Sequence, residues 1–213
     1  QSLKDIYTLA SEKQQTTVVT DITIKKSSTN IKDLLDSIAP KEFQGSSTLY
    51  NVLGHTFYYN KGTDNLFLSE PYFKFFLNLF VANLDTAARL TICNPPDSIT
   101  RKSPKYHPIH YAAFDSKYRK WLSNNFKKAF GVEITPNILN GATIPLCMGP
   151  PVVLNDEYDD EQSRQEDFAR KLETYKQVQN QGDGIKSFTG ILLYLMLDYF
   201  CTYLIDEPES FLH

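Results

Sequence analysis

Three features of this sequence predict an α/β fold: helical periodicity over Ile109 to Phe130 and Glu161 to Val178, short β-type apolar runs between and around them, and a last apolar strand, Tyr203-Leu204-Ile205, that ends abruptly in Asp206-Glu207-Pro208.

The bulk composition narrows the field. A length of 213 residues holds one sizeable domain, or a domain with an inserted lobe. With 41% hydrophobic and 22% charged residues, the composition is globular rather than disordered. A net charge of −3 excludes a global basic field directed at nucleic acid. The 13 Tyr and 14 Phe favour a packed, partly β interior. Cys93, Cys147 and Cys201 are odd in number, widely spaced and form no CxxC pair, so a reduced, cytoplasmic chain without a metal knuckle is expected. The first residues, Gln1-Ser2-Leu3-Lys4-Asp5, are no signal peptide, and they lack an initiator Met, as expected of a chain that begins inside a longer protein.

Along the chain, Thr17 to Lys25 alternates as a strand, and Asn30 is placed to cap a short helix, Ile31 to Ile38, stopped by Pro40. Leu49 to Asn60 and Asn65 to Ser69 flank Lys61-Gly62-Thr63-Asp64 as a hairpin. Pro71 to Asn83 is aromatic-rich and ambiguous between helix and strand. Ala88 to Cys93 reads as a short buried strand ended by Asn94-Pro95-Pro96. In the Ile109–Phe130 helix, Phe114, Tyr118, Trp121, Leu122 and Ala129 share one face, and Gly131 ends it. Strands follow at Val132 to Thr135 and Thr143 to Met148, then an acidic connection, Asn155 to Asp160. The second amphipathic helix, Glu161 to Val178, carries Phe168, Leu172, Tyr175 and Val178 on one stripe. Phe188 to Ile205 is 18 residues long and mostly apolar, close to a spanning length. With Asp198 inside it and three acids directly after it, the run reads as a buried helix followed by a buried strand, so no membrane partner is expected.

The chemistry concentrates in the last thirty residues. In Gln181-Gly182-Asp183-Gly184-Ile185-Lys186-Ser187 two glycines flank an Asp just before a helical run. Backbone amides there can approach an anion at the positive end of the new helix, with Lys186 as an added charge. Gly-Asp-Gly is also the composition of an ordinary turn. At Asp206-Glu207-Pro208 the proline prevents continuation of the sheet and the chain turns, so two carboxylates can face one crevice. One is then suited to hold Mg²⁺ and the other to deprotonate a water; an acidic turn after a core strand has the same composition.

Taken together, glycine-rich loop, helix and apolar strand ending in Asp-Glu-Pro resemble the stretch from signature loop to Walker B of ABC-type ATPases. The wording QGDGIKSFTGILLYL…YLIDEPESFLH over residues 181–213 is similar to the OLD/RecF/SMC-like group of AAA ATP-binding proteins, and unlike transporter subunits. A looser likeness runs upstream through Leu90–Pro96 and then the helix to Phe130, typical of a bacterial subset often encoded beside a nuclease, to which the ATPase component of the PARIS anti-phage system belongs. The resemblance implies ATP and Mg²⁺ as cofactors. It implies Asp206 as the Mg²⁺ residue and Glu207 as general base. It makes Gly182, Asp183, Gly184, Lys186 and Ser187 a signature loop closing on ATP held by a second subunit, with His213 at the dimer seam. Gly182 stands where that family usually has Ser. No GxxxxGK[ST] occurs among the nine glycines, so the phosphate cradle of a Walker A loop is missing. The implied fold is an ABC-type ATPase head with a mixed sheet and an inserted helical lobe, truncated at both ends. Residues 1–69 form its β-rich part, 70–180 the mixed strand and helical lobe, and 181–213 the signature loop, helix and Walker B strand.

Three functions follow from that resemblance. The first is an ATP-hydrolysing head that dimerises around nucleotide, as a homodimer or higher homo-oligomer, in DNA-related work or anti-phage defence. The second is an ATP-dependent scaffold holding a toxic nuclease effector until a trigger arrives. The third is the ATPase part of an OLD-type nuclease, with RecF-like repair as a variant. Outside this stretch, His107-Pro108-Ile109-His110 lacks the further ligands a metal site needs, and reads as structural. Lys117, Arg119, Lys120, Lys127 and Lys128, with Arg101-Lys102 and Lys105 nearby in sequence, make a basic helix that reads as a solvated face, with a nucleic-acid backbone as the alternative contact.

Overall fold

Apolar alternation between Ser47 and Tyr59 builds an antiparallel meander in the computed structural model, which describes residues 31–38, 41–52, 55–60, 81–154, 158, 160–197, 200 and 202–207. Strands β1 (Lys41–Gln44), β2 (Ser47–Val52) and β3 (His55–Tyr59) pair in that order. The expected single strand from Leu49 to Asn60 is therefore two, with Val52 opposite His55. Tyr50, Val52 and Phe57 fall on one face and are buried. Helix α1 (Ile31–Ile38) is where its sequence pattern put it. Asp36 ties it to the sheet: its carboxylate accepts from Tyr50 Oη at 2.6 Å, Lys41 Nζ at 3.1 Å and Lys32 Nζ at 2.7 Å. These donors, Lys32 first, hold the Asp36 carboxyl well below the usual carboxylate range. The expected strands Thr17–Lys25 and Asn65–Ser69, and the turn Lys61–Asp64, lie outside the described residues.

The described chain is α/β, with helices interleaved among small parallel and antiparallel sheets. It divides into two compact units. One comprises 1–85, 104–106 and 198–208; the other comprises 86–103, 107–197 and 209–213. The first unit also contains β4 (Val81–Leu84), which settles the end of the ambiguous Pro71–Asn83 stretch as strand. It pairs in parallel with β8 (Thr202–Ile205), Leu84 standing opposite Ile205. Ala82 and Leu84 are buried on one face of the ribbon and Leu204 on the other.

The second unit corrects four expectations. Ala88–Cys93 is not a strand: helix α2 (Thr86–Thr91) occupies it, followed by a turn that buries Cys93. A six-residue apolar run is equally compatible with both states, and Ala87, Ala88, Arg89 and Leu90 are all good helix formers. The single Ile109–Phe130 helix is two, α3 (Pro108–Phe114) and α4 (Ser116–Phe130). Asp115 ends the first, donating its backbone N–H to the Tyr111 carbonyl, and caps the second through its side chain, which accepts from Lys117 N at 2.8 Å. Such Asp side chains compete with continued helix. The buried stripe of α4 is Leu122 and Phe126, with the Phe130 ring 4.6 Å from that of Phe126, rather than Trp121 and Ala129, which are exposed. Gly131, left-handed at φ 73°, closes α4 as its sequence position suggests.

Beyond it, β5 (Glu133–Pro136) and β6 (Leu146–Gly149) form an antiparallel pair. Thr143 lies ahead of β6 as an isolated bridge to Asp97. The last correction concerns Glu161–Val178. Helix α5 (Glu161–Glu173) stops early, and Lys176–Gln177 becomes β7, paired to β6 at Met148 and Cys147. The Tyr175 ring lies over Gly149 and its hydroxyl donates to the Pro150 carbonyl at 2.9 Å. Sheet pairing overrides the helical period there. A 3₁₀ turn, Val178–Asn180, leads into α6 (Asp183–Leu195). The long apolar run thus divides into α6 and β8, as expected from Asp198 within it. Among the described residues no helix is long and apolar enough to cross a membrane.

Helix α6 packs on α2 at Gly190, where a Cβ would press on the Arg89 carbonyl oxygen and stand 2.9 Å from Arg89 Cα. The obstacle is backbone, so relief requires the helices to separate. Gly190→Ala is expected to lower stability by about 1–3 kcal/mol. Gly182→Ala, with nothing within 4 Å of the added carbon, is expected to cost less, about 1 kcal/mol or below, from the poorer helix cap alone; urea unfolding midpoints of the two variants check the contrast.

Candidate functional site

The glycine-rich loop opens α6. Gly182 is its N-cap in an extended conformation with no side-chain cap, so the first-turn amides of α6 receive no side-chain oxygen from it. Gly182 and Asp183 are exposed and Gly184 is half-buried. Lys186 Nζ meets Asp183 Oδ1 at 2.7 Å. This pair nearly neutralises the loop, so what the helix end presents to solvent is backbone amides rather than a free cation. Ser187 is 1% exposed and faces the interior, away from any partner approaching the helix end. The helix starts two residues before the expected Ile185.

What anchors this helix end is an unforeseen contact: the Cys93 thiol donates to the Lys186 carbonyl at 3.1 Å. Burial pushes the Cys93 thiol up to about 12, against a smaller opposing effect of Lys186, and burial pushes Cys147 up to about 11. Both stay protonated thiols and are poor nucleophiles. Farther along, the Phe188 ring meets Phe130 edge-on at 5.3 Å.

Asp206 and Glu207 belong to the other unit. They follow β8 directly and both are exposed. The Asp206 N–H reaches the Leu84 carbonyl at 3.5 Å, prolonging the parallel ladder by one residue. Glu207 then turns the chain with φ 44°, the one left-handed non-glycine among the described residues. Such a backbone costs about 1 kcal/mol or more and clusters at functional sites. Because β4 and β8 run parallel and in register, Asp85 follows β4 as Asp206 follows β8. Asp85 was missed in the sequence, since its neighbourhood to Asp206 depends on strand pairing. Open parallel sheets bind ligands at this end of their strands. Among the described residues no group of three or more His, Cys, Asp or Glu is arranged to hold a metal ion. Mg²⁺ in phosphate-transfer sites asks less of the protein, one or two carboxylates with water and substrate phosphates; Asp206 has that donor chemistry. His213 lies outside the described residues.

The histidine pair is structural. His107 caps α3, Nδ1 accepting from Ile109 N at 3.2 Å, and the buried His110 places Nε2 2.9 Å from the Asp97 carbonyl oxygen. Arg89, fully buried and within hydrogen-bond reach of Thr86 Oγ1 at 3.3 Å, gave no signal in the sequence. No family model, curated protein or solved structure matches the chain.

Burial, and secondarily His110, pushes His107 down to about 4. In the unfolded chain the imidazole titrates near pH 6.5. Between those values the unfolded state binds a proton that the folded state does not. The contribution of His107 is therefore complete above about pH 6.5 and falls as the pH drops towards 4, by a few kcal/mol at most. His107→Asn, which keeps a capping oxygen, is expected to flatten that part of the profile. Unfolding free energies at pH 7 and pH 4.5 for both proteins measure the difference.

Proposed function

We propose that this chain is the signature-to-Walker B part of an ATP-binding and ATP-hydrolysing head that dimerises around nucleotide. The observation that carries the reading is the setting of Asp206 and Glu207. They are exposed carboxylates at the C-terminal end of a parallel strand, with a left-handed turn at Glu207 that departs from the strand's alternation. The order of elements adds support: exposed Gly182, helix α6, then β8.

In this reading Glu207 takes the proton of the attacking water, and Asp206 is the residue that would hold Mg²⁺. Bound Mg²⁺ supplies charge neutralisation on the phosphates. Gly182, Asp183 and Gly184 present amides to the nucleotide of a second subunit, and the Asp183–Lys186 pair fixes the loop. This reading requires a Walker A cradle, and no GxxxxGK[ST] within the 213 residues supplies one. The DNA-related or anti-phage setting, and a nuclease partner, rest on the sequence resemblance alone.

Two measurements test this reading. In a protein that joins this chain to its Walker A segment, Glu207→Gln should keep ATP binding and lower turnover about 10²-fold or more, because the amide keeps the shape and loses the base. Turnover close to that of the parent would overturn the assignment. The 213-residue chain alone should release no phosphate from Mg·ATP; saturable hydrolysis by it, abolished in Glu207→Gln, would show that the cradle is built differently.

A further inference from the structure

Helix α4 differs from the other charged helix of its unit. In α5, acids and bases alternate and pair: Arg164 with Glu161 at 3.5 Å, Lys171 with Asp167 at 2.9 Å. That is the ordinary arrangement of a solvated helix face. The sequence of α4, SKYRKWLSNNFKKAF, carries five cations and no carboxylate, in a chain whose net charge is −3. Lys117, Arg119 and Lys120 lie near its N-terminus, where the helix dipole disfavours positive charge. Lys117 and Lys120 are also three residues apart and repel one another. Helix stability does not explain this placement.

The exposed face has a particular composition. Lys117, Lys120, Trp121, Asn124 and Lys128 recur at helical spacing, and all five are exposed. Lys120 and Lys128 stand on one stripe two turns apart, about 12 Å along the axis. Trp121, 38% exposed, lies between them, on the side of the helix away from the Leu122–Phe126 stripe. Arg119, Lys127 and Lys117 are engaged within the protein: Arg119 donates to the Ala113 carbonyl at 3.1 Å, and Lys127 meets Glu133 at 2.9 Å. Lys117 also lies over the Tyr118 ring, 5.3 Å from its centre.

We propose that this face of α4 binds single-stranded nucleic acid, with Lys120 and Lys128 on backbone phosphates and Trp121 stacked on a base. Cations interleaved with an exposed aromatic ring are the two elements by which proteins hold unpaired strands. A duplex offers phosphates but no free base face. An acidic protein segment offers carboxylates, but a ring for Trp121 only where an aromatic residue happens to fall at the matching spacing, whereas every nucleotide of a single strand carries both. The proposal stands independently of the ATPase reading.

Trp121 is the only tryptophan in the chain, so its fluorescence reports the contact directly. Titration of the whole chain with oligothymidylate should quench that fluorescence in a saturable manner. The logarithm of affinity should fall with the logarithm of salt concentration, with a slope of about −0.7 for each phosphate neutralised. The double variant K120A/K128A should bind fluorescein-labelled oligothymidylate about tenfold or more weakly and with a shallower slope. Trp121→Ala should also lose about tenfold by anisotropy. Lys127→Ala, which removes a cation already paired with Glu133, should lose less than either. All these side chains are exposed, and circular dichroism confirms that each variant folds. Absence of quenching, tighter binding to a duplex of equal length, equal binding to polyglutamate, or unchanged affinity in K120A/K128A would each overturn the proposal.

Discussion

The second unit depends on the close approach of α6 to α2 at Gly190. Two helix backbones come near enough there that no side chain fits between them. At that separation the Cys93 thiol reaches the Lys186 carbonyl, and Arg89 is enclosed completely. The Phe188 ring is brought edge-on to Phe130 at the end of α4. The position of the α6 N-terminus, and with it the exposed Gly182, follows from this packing.

Asp206 and Glu207 depend on a different constraint, the parallel pairing of β4 with β8. Strand β8 has four residues, too short to define a direction by itself. Its register against β4, continued by Asp206 N–H, sets where the ladder stops and where Glu207 turns. The same pairing brings Asp85 to that end. An active-site reading based on Asp206-Glu207-Pro208 alone concerns two carboxylates; the sheet presents a third at the same edge.

Local signals were legible where a single residue decides the backbone. Gly131 ends α4, Ile31–Ile38 is helical, and the Phe188–Ile205 run divides into helix and strand; the break at Asp115, inside a continuous helical period, was not read. Periodicity failed where tertiary pairing competes with it. Tyr175 and Val178 continue the stripe of α5 in sequence, yet Lys176–Gln177 pairs with β6. The Ala88–Cys93 run was too short for its period to distinguish strand from helix. At the candidate site, the exposure of Gly182, Asp206 and Glu207 agrees with what their residue types suggested. The inward direction of Ser187, the Asp183–Lys186 pair and the presence of Asp85 depend on side-chain direction and strand order, which a linear motif does not contain.

Asp115 serves two helices at once, ending α3 through its backbone and beginning α4 through its side chain. A joint one residue long makes the rotational phase of α4 a property of chain length. Adding or removing one residue there would turn the following helix by about 100°. Leu122 and Phe126 would swing towards water, and lysines would swing towards the core. Changes of amino-acid type on the outer face leave that phase intact, whereas a change of length at the joint alters every side chain downstream of it. This elbow should therefore tolerate substitution far better than insertion.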